Sequence, residues 1–165
     1  MEDHRLRLRE IHLQAFGGRA EEANLVELLY AAGKARPSLV AIVTGDIVAH
    51  VVFSPVTIEC APNNFKAVGL GPVAVLPACQ RKGIGTRLVR VGLDACLADK
   101  IDAIVVLGSP RFYGRFGFRA AKDFGLRNEY VDDGHFMIRE LRPDALGDVS
   151  GMVRYSPEFR LARCQ

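Results

Sequence analysis

The stretch "PACQRKGIGTRLVR", residues 77–90, decides the fold because it joins two elements through a basic turn that contains two glycines. The residues before it, "FKAVGLGPVAV" (65–75), form an apolar run that is typical of a strand. From its second half onward, Ile84, Leu88, Val91 and Ala95 recur at steps of three or four, which predicts an amphipathic helix. A turn from a strand into a helix presents free backbone N–H groups at the positive end of the helix dipole. The stretch therefore predicts a site for phosphate.

The two glycines, Gly83 and Gly85, suit such a site because glycine adopts unusual dihedrals and has no Cβ to keep a ligand from the amides. A P-loop would need G-x-x-x-x-G-K-[ST], which the chain lacks. A dinucleotide fingerprint would need a third glycine where Leu88 stands. The motif that remains is Q-x-x-G-x-G, beginning at Gln80, and by itself it is more typical of a tight turn than of a binding site.

The rest of the chain predicts an α/β (α+β) fold, a mixed and mostly antiparallel sheet with one βαβ unit and flanking helices. Helical spacing occurs in residues 3–16 and again in residues 25–33. From Ser38 onward, β-branched runs alternate with turn residues, which favours antiparallel strands. Further strands are predicted at "AIVVLG" (103–108) and "HFMIREL" (135–141). Because the helix that carries Ile84, Leu88 and Val91 connects two predicted strands, these three elements form the βαβ unit.

Composition excludes several classes of function. A chain of 165 residues with 49% hydrophobic content predicts one domain, residues 1–165, with a polar C-terminal tail from about 143 to 165. The net charge of +3 is spread along the chain, so we expect no nucleic-acid partner. No run approaches the roughly 20 apolar residues of a membrane span, so we expect no membrane partner and a cytoplasmic location. Four widely spaced cysteines indicate free thiols, without a metal site or a disulfide framework.

Taken in this context, "LGPVAVLPACQRKGIGTRLV" and "VVLGSPRFYGRFGF" resemble the coenzyme A motif, and the strand and helix that follow it, in the GCN5-related N-acetyltransferase (GNAT) family. The family's Y-x-x-x-G-F corresponds to Tyr113–Phe118. Small predicted N-acetyltransferases of the YhbS type also tend to end in a stretch like "SGMVRYSPEF". The resemblance implies a GNAT fold and the transfer of an acetyl group from acetyl-CoA to a primary amine of a small-molecule or peptide acceptor.

The resemblance also implies which residues bind the coenzyme. The amides of residues 81–86 would hold its pyrophosphate, and the strand before the loop would pair with the pantetheine arm. A backbone N–H near Val75 would donate to the thioester carbonyl. Ser109 stands near the point where the family often has an asparagine. The implied binding residues are Val73, Ala74, Val75, Gln80, Arg81, Lys82, Gly83, Ile84, Gly85, Thr86 and Ser109.

Tyr113 is the implied catalytic residue, as the donor to the leaving thiolate. Its reference pKa of about 10 lies above the 8.5 of a thiol, so full proton transfer would be uphill by about 2 kcal/mol and hydrogen bonding is favoured. Spacing marks no general base. Glu59, His50 and His135 are the candidates, and a water chain or an already neutral amine could replace them. Cys79 has no histidine placed to activate it as a nucleophile.

One departure from the family pattern, and the lack of an evident base, leave alternatives open. Family members usually open with a strand, whereas this chain is predicted to enter a helix within a few residues of Met1. We therefore expect an exposed sheet edge, covered by a second subunit in a homodimer or by the C-terminal tail. Because no base is evident, a non-catalytic module that binds acyl-CoA or regulates a partner remains the alternative function.

Overall fold

The computed structural model describes residues 2–130 and 134–164. Within these residues no helix combines the length and the apolar content that crossing a bilayer requires. The elements follow in the order α1 (Glu2–Ala15), α2 (Glu21–Ala31), β1 (Ser38–Val43), β2 (Asp46–Cys60), β3 (Ala67–Val75), α3 (Ile84–Ala98), β4 (Ala103–Leu107), α4 (Pro110–Tyr113), β5 (Arg119–Ala120), β6 (Leu126–Asn128), β7 (Phe136–Glu140), β8 (Ser150–Tyr155) and α5 (Glu158–Ala162).

Residue contacts divide the chain into two compact units. The first unit comprises residues 1–54, 71–95 and 157–165, and the second comprises residues 55–70 and 96–156. Three elements, β2, β3 and α3, begin in one unit and end in the other. The prediction that residues 1–165 form a single domain stays a prediction.

The first unit packs helices on the antiparallel pair β1 and β2, in which Ser38 lies opposite Val52. Its apolar cluster is formed by Leu25, Val26, Leu29, Val52 and Ala162, which come from α2, β2 and α5. The third helix, α3, lies close to β2, since a Cβ built on Gly92 would fall 2.6 Å from the ring of the fully buried Phe53. Only glycine permits this close approach of helix and strand.

The second unit contains most of the sheet, whose strand order is β5-β7-β4-β3-β2-β8-β6. Strands β3 and β4 are parallel, with Ala67 opposite Ala103, and β6 is parallel to β8. The pairs β4–β7, β5–β7 and β2–β8 are antiparallel. The predicted mixed sheet and its β3-α3-β4 unit are therefore present.

Two parts of the sequence-based prediction need correction. The runs "IVAHVVFS" (47–54) and "VTIEC" (56–60), expected to be separate strands, form the single strand β2, in which Pro55 falls where the partner changes from β1 to β8. Residues 143–165, expected to form a polar tail, contain strand β8 and helix α5. In β8, buried Val153 and Tyr155 flank exposed Arg154, the alternation of a strand with one buried face.

Candidate functional site

The turn between β3 and α3 belongs to the first unit and has the backbone geometry of an anion site. Arg81 and Gly83 have φ angles of 60° and 80°, so two of three consecutive residues lie in the left-handed region. Helix α3 begins at Ile84, and the bond from the Arg87 amide to the Gly83 carbonyl, 3.0 Å long, opens the helical hydrogen-bond pattern. The amides of Ile84 and Gly85 consequently have no acceptor among the described residues, at the positive end of a 15-residue helix.

The two glycines of the motif have different structural roles. Gly83 needs its left-handed conformation, and a Cβ there would meet nothing within 4 Å. Gly85 has ordinary helical geometry, and a Cβ on it would lie 3.4 Å from Cγ2 of Val75. Glycine at position 83 therefore serves the backbone, whereas glycine at position 85 keeps space open beside β3.

Positive charge and a side-chain bond complete this part of the site. Arg81, Lys82 and Arg87 are exposed, and no ion pair engages them within the described residues. Gln80 donates from Nε2 to the carbonyl of Val75 at 3.0 Å, which ties the turn to the end of β3. The predicted residues 73–75 and 80–86 thus lie together. The three exposed cations, which have no ion pair among the described residues, create a positive potential that attracts an anion.

Ser109 and Tyr113 belong to the second unit. Ser109 caps helix α4, since its Oγ accepts from the Phe112 amide at 3.4 Å and its carbonyl accepts from the Tyr113 amide at 2.9 Å. The Tyr113 ring meets Phe112 and Phe118 edge to face, with centroids 4.9 and 5.8 Å apart. Burial raises the pKa of Tyr113 to about 12, so its phenol stays protonated and able to donate.

His50, one of the three candidate bases, is fully buried and engaged at both ring nitrogens. Its Nδ1 lies 2.8 Å from Nε2 of His12, and its Nε2 lies 2.9 Å from Oγ of Ser38. The Tyr30 hydroxyl also bonds to Ser38 and lies 3.4 Å from His50 Nε2. Burial, and secondly His12, lower the pKa of His50 to about 3, and burial lowers that of His12 to about 4.

The other candidates are placed as follows. Glu59 is exposed, and its carboxylate accepts from the Met152 amide at 3.2 Å. His135 is exposed, and its carbonyl accepts from the Gly108 amide at 3.0 Å. Cys79 is half-buried in the short helical turn Pro77–Cys79. Across the described parts of the chain, no three His, Cys, Asp or Glu side chains are grouped to hold a metal ion.

Sequence reasoning missed one feature in each unit. His12, Tyr30 and Ser38 surround His50, but their sequence separations from it range from 12 to 38 residues, and no local pattern links them. Gly108 lies against the Cδ2–Cε2 edge of the Tyr113 ring. A signal for it existed, namely a glycine between a strand and a Ser-Pro helix start, five residues before the tyrosine.

The comparison with known families identifies the family of this chain. The family described as "Acetyltransferase (GNAT) domain" matches residues 2–121, which is more than half of the chain. The chain belongs to the GNAT acetyltransferase family. It is accordingly an acyltransferase, and its mixed sheet with flanking helices is the GNAT fold, as the sequence predicted.

Relatives of this GNAT chain are similar over most of their length. The uncharacterized N-acetyltransferase YhbS of Escherichia coli K12 is 35% identical over 116 residues, which cover 70% of this chain and 68% of YhbS. A crystal structure of E. coli YhbS in complex with CoA matches with a TM-score of 0.89 and 32% identity, covering 94% of this chain and 86% of that one. A GNAT family acetyltransferase from Brucella melitensis in complex with acetyl-CoA matches with a TM-score of 0.78 and 32% identity, covering 96% and 94%.

Proposed function

We propose that this GNAT chain, acting as one N-acetyltransferase domain, moves an acetyl group from acetyl-CoA to a primary amine by direct attack on the thioester. The observation that carries the proposal is the start of α3, where the Ile84 and Gly85 amides and three cations without an ion pair among the described residues meet at one turn. Two similar proteins were crystallised with CoA or acetyl-CoA. A pyrophosphate is the part of that molecule which such a turn suits best.

The turn would hold the pyrophosphate through the amides of residues 81–86, Thr86 included. Arg81 and Lys82 would add charge, because their side chains are exposed beside the turn and carry no ion pair among the described residues. Gly85 would let the pyrophosphate approach the backbone closely, since it has no Cβ on the side that faces Val75. In the helix cap, Oγ of Ser109 accepts a hydrogen bond from the Phe112 amide and donates none to a described residue. Its hydroxyl hydrogen would therefore donate to the coenzyme.

The pantetheine arm would pair with the end of β3. The Leu76 amide donates to the carbonyl of Val48 in β2 at 2.9 Å. Because successive amides along an extended strand point to opposite edges, the N–H groups of Val73 and Val75 face away from β2. Ala74 lies between them with its side chain buried. These two outward amides are the donors that we assign to the pantetheine arm and to the thioester carbonyl.

Tyr113 would stabilise the departing thiolate. With the pKa of Tyr113 at about 12 and a reference thiol near 8.5, complete proton transfer would be uphill by about 5 kcal/mol. The structure thus strengthens the case for a hydrogen bond over a proton transfer. This bond strengthens as charge grows on the sulfur, which is how a fixed donor lowers the barrier without tightening substrate binding.

The acceptor amine must be neutral to attack, and we propose that neither His50 nor Glu59 removes its proton. Both ring nitrogens of His50 are engaged and its pKa is low, while Glu59 holds the amide of Met152. An amine that is neutral in solution, or one that loses its proton to water, would serve. The acceptor would be a small molecule or a peptide.

We also propose that a second copy covers the edge of β1. That strand pairs with β2 on one side, and Val40, Ile42 and Val43 are 40%, 62% and 42% exposed. With Leu88 and Val91 of α3, the strand lines an apolar groove of about 350 Å³. Closed twofold pairing is the commonest way to cover such a surface.

The experiment that tests the function is a thiol-release assay. The protein would be incubated with acetyl-CoA and pooled amines, peptides and small metabolites, and free CoA followed with a thiol reagent. We expect release that depends on at least one pool and on the hydroxyl of Tyr113. Binding of acetyl-CoA without turnover in any pool would favour the non-catalytic module instead.

A further inference from the structure

The Cδ2–Cε2 edge of the Tyr113 ring lies against the backbone of Gly108. A Cβ built on Gly108 would fall 2.3 Å from Cε2 and 2.8 Å from Cδ2 of that ring, closer than any real Cβ contact. The φ angle of Gly108 is outside the left-handed region, so the backbone at this position does not itself require glycine. The space that the ring occupies is therefore what requires glycine here.

The surroundings hold both partners in place. Gly108 follows β4 directly, and its amide donates to the carbonyl of His135 at 3.0 Å. The next residue, Ser109, caps α4, and its carbonyl accepts a hydrogen bond from the Tyr113 amide. Phe112 stands at the edge of the ring. Because the edge of the tyrosine ring contacts Gly108, a group added at residue 108 would displace that ring.

We propose that Gly108 is a positioning residue for Tyr113, because the absent side chain lets the edge of the ring approach the backbone and fixes where the hydroxyl points. This inference rests on the proposed role of Tyr113 as donor to the leaving thiolate. Restoring an ordinary contact of about 3.4 Å from 2.3 Å would move the ring by about 1 Å. A misplacement of that size can cost about a hundredfold in rate.

The test compares Gly108→Ala with Gly114→Ala. Gly114 lies in the same segment with φ −56°, and a Cβ there meets nothing within 4 Å, so it is the matched control. We expect Gly108→Ala to lower kcat about tenfold to a hundredfold while the Kd for CoA changes less than about twofold. Gly114→Ala should leave both within about twofold of the starting protein. Equal kcat values for the two variants would overturn the inference.

A double-mutant cycle separates this inference from the role of Tyr113. In a Tyr113→Phe background, Gly108→Ala should lower kcat no further, because the hydroxyl that it displaces is already gone. Losses that multiply in the double variant would indicate general disruption and overturn the inference. If Tyr113→Phe alone has near-normal turnover, the proposed function of Tyr113 fails. If that variant is impaired while Gly108→Ala is normal, only the positioning role fails.

Stability supplies a readout that does not depend on turnover. Gly108→Ala should lower the melting temperature, and adding Tyr113→Ala should remove that penalty, because the methyl group then has no ring to strike. This comparison also decides the case in which Gly108→Ala alone does not fold. A penalty that is unchanged when the ring is absent would show that Gly108 serves the backbone and would overturn the inference.

Discussion

The Nε2 atom of His12 and the Nδ1 atom of His50 lie 2.8 Å apart in the interior of the first unit, and neither side chain is exposed. The rings meet at 84°, and 38 residues separate them along the chain. Nδ1 of His12 has no hydrogen-bond partner among the described residues. A proton on Nε2 of His12 lets it donate to His50, whose own Nε2–H then donates to Ser38, and both rings stay neutral.

We predict that the stability of the protein falls as pH drops below about 6.5. Burial lowers the folded-state pKa values of His12 and His50 to about 4 and 3, so the unfolded chain binds more protons below the ordinary value of 6.5. The contribution of the pair is present above pH 6.5 and is lost as pH falls toward those values. Urea unfolding from pH 7.5 to 4.5 should show a slope of up to about 1.4 kcal/mol per pH unit for each histidine.

The control for this pH dependence is His4→Gln, on the exposed side of α1, which should leave the slope unchanged. The double variant His12→Gln/His50→Gln should be less stable at pH 7.5 but have a flatter profile. If it kept the full slope, other groups would carry the pH dependence and the neutral pair would not.

Tyr113→Phe should reduce turnover by roughly a hundredfold to ten-thousandfold, the usual span for a positioned acid or base. The phenylalanine keeps the contacts with Phe112 and Phe118 and loses only the donor. Affinity for CoA should change little, because the interaction gains strength only as charge develops on sulfur. Steady-state kinetics and calorimetry with CoA check the two halves separately. Near-normal turnover would make Tyr113 a packing residue.

The two glycines of the turn should respond differently to alanine. Gly85→Ala should weaken CoA binding about tenfold or more with little loss of stability, because the helix accepts alanine and the methyl group enters the space beside Val75. Gly83→Ala should lower stability by about 1 kcal/mol or more, because alanine disfavours φ near 80°. Calorimetry and chemical unfolding on both variants test this division. Unchanged CoA affinity in Gly85→Ala would remove the central support for the coenzyme site.

Light scattering should report a dimer that dissociates on dilution. Ile42→Lys places a charge on the exposed edge of β1 and should shift the protein toward monomer. Leu6→Lys, at a similarly exposed residue of α1, is the matched control and should leave the mass unchanged. A monomer at every concentration tested would contradict the proposal.

The elements that the sequence predicted are those with a pronounced local pattern. Helix α3 shows an apolar period over 15 residues, strand β4 is a continuous apolar run, and the turn that precedes α3 is marked by its glycines. Strand β5 has two residues and helix α5 has five, which is too short for any period to show. The bond from Gln80 to Val75 and the contact of Tyr113 with Gly108 depend on side-chain placement, which spacing does not encode.

The close contact between Gly92 and Phe53 bears on how this enzyme could be engineered. A glycine in the middle of a helix costs about 1 kcal/mol relative to alanine, so propensity alone would nominate Gly92→Ala as a thermostabilising change. The added methyl group would fall 2.6 Å from the fully buried ring of Phe53, so α3 would have to move away from β2. Because the coenzyme turn is the start of that same helix, a substitution chosen for heat tolerance would be expected to degrade cofactor affinity.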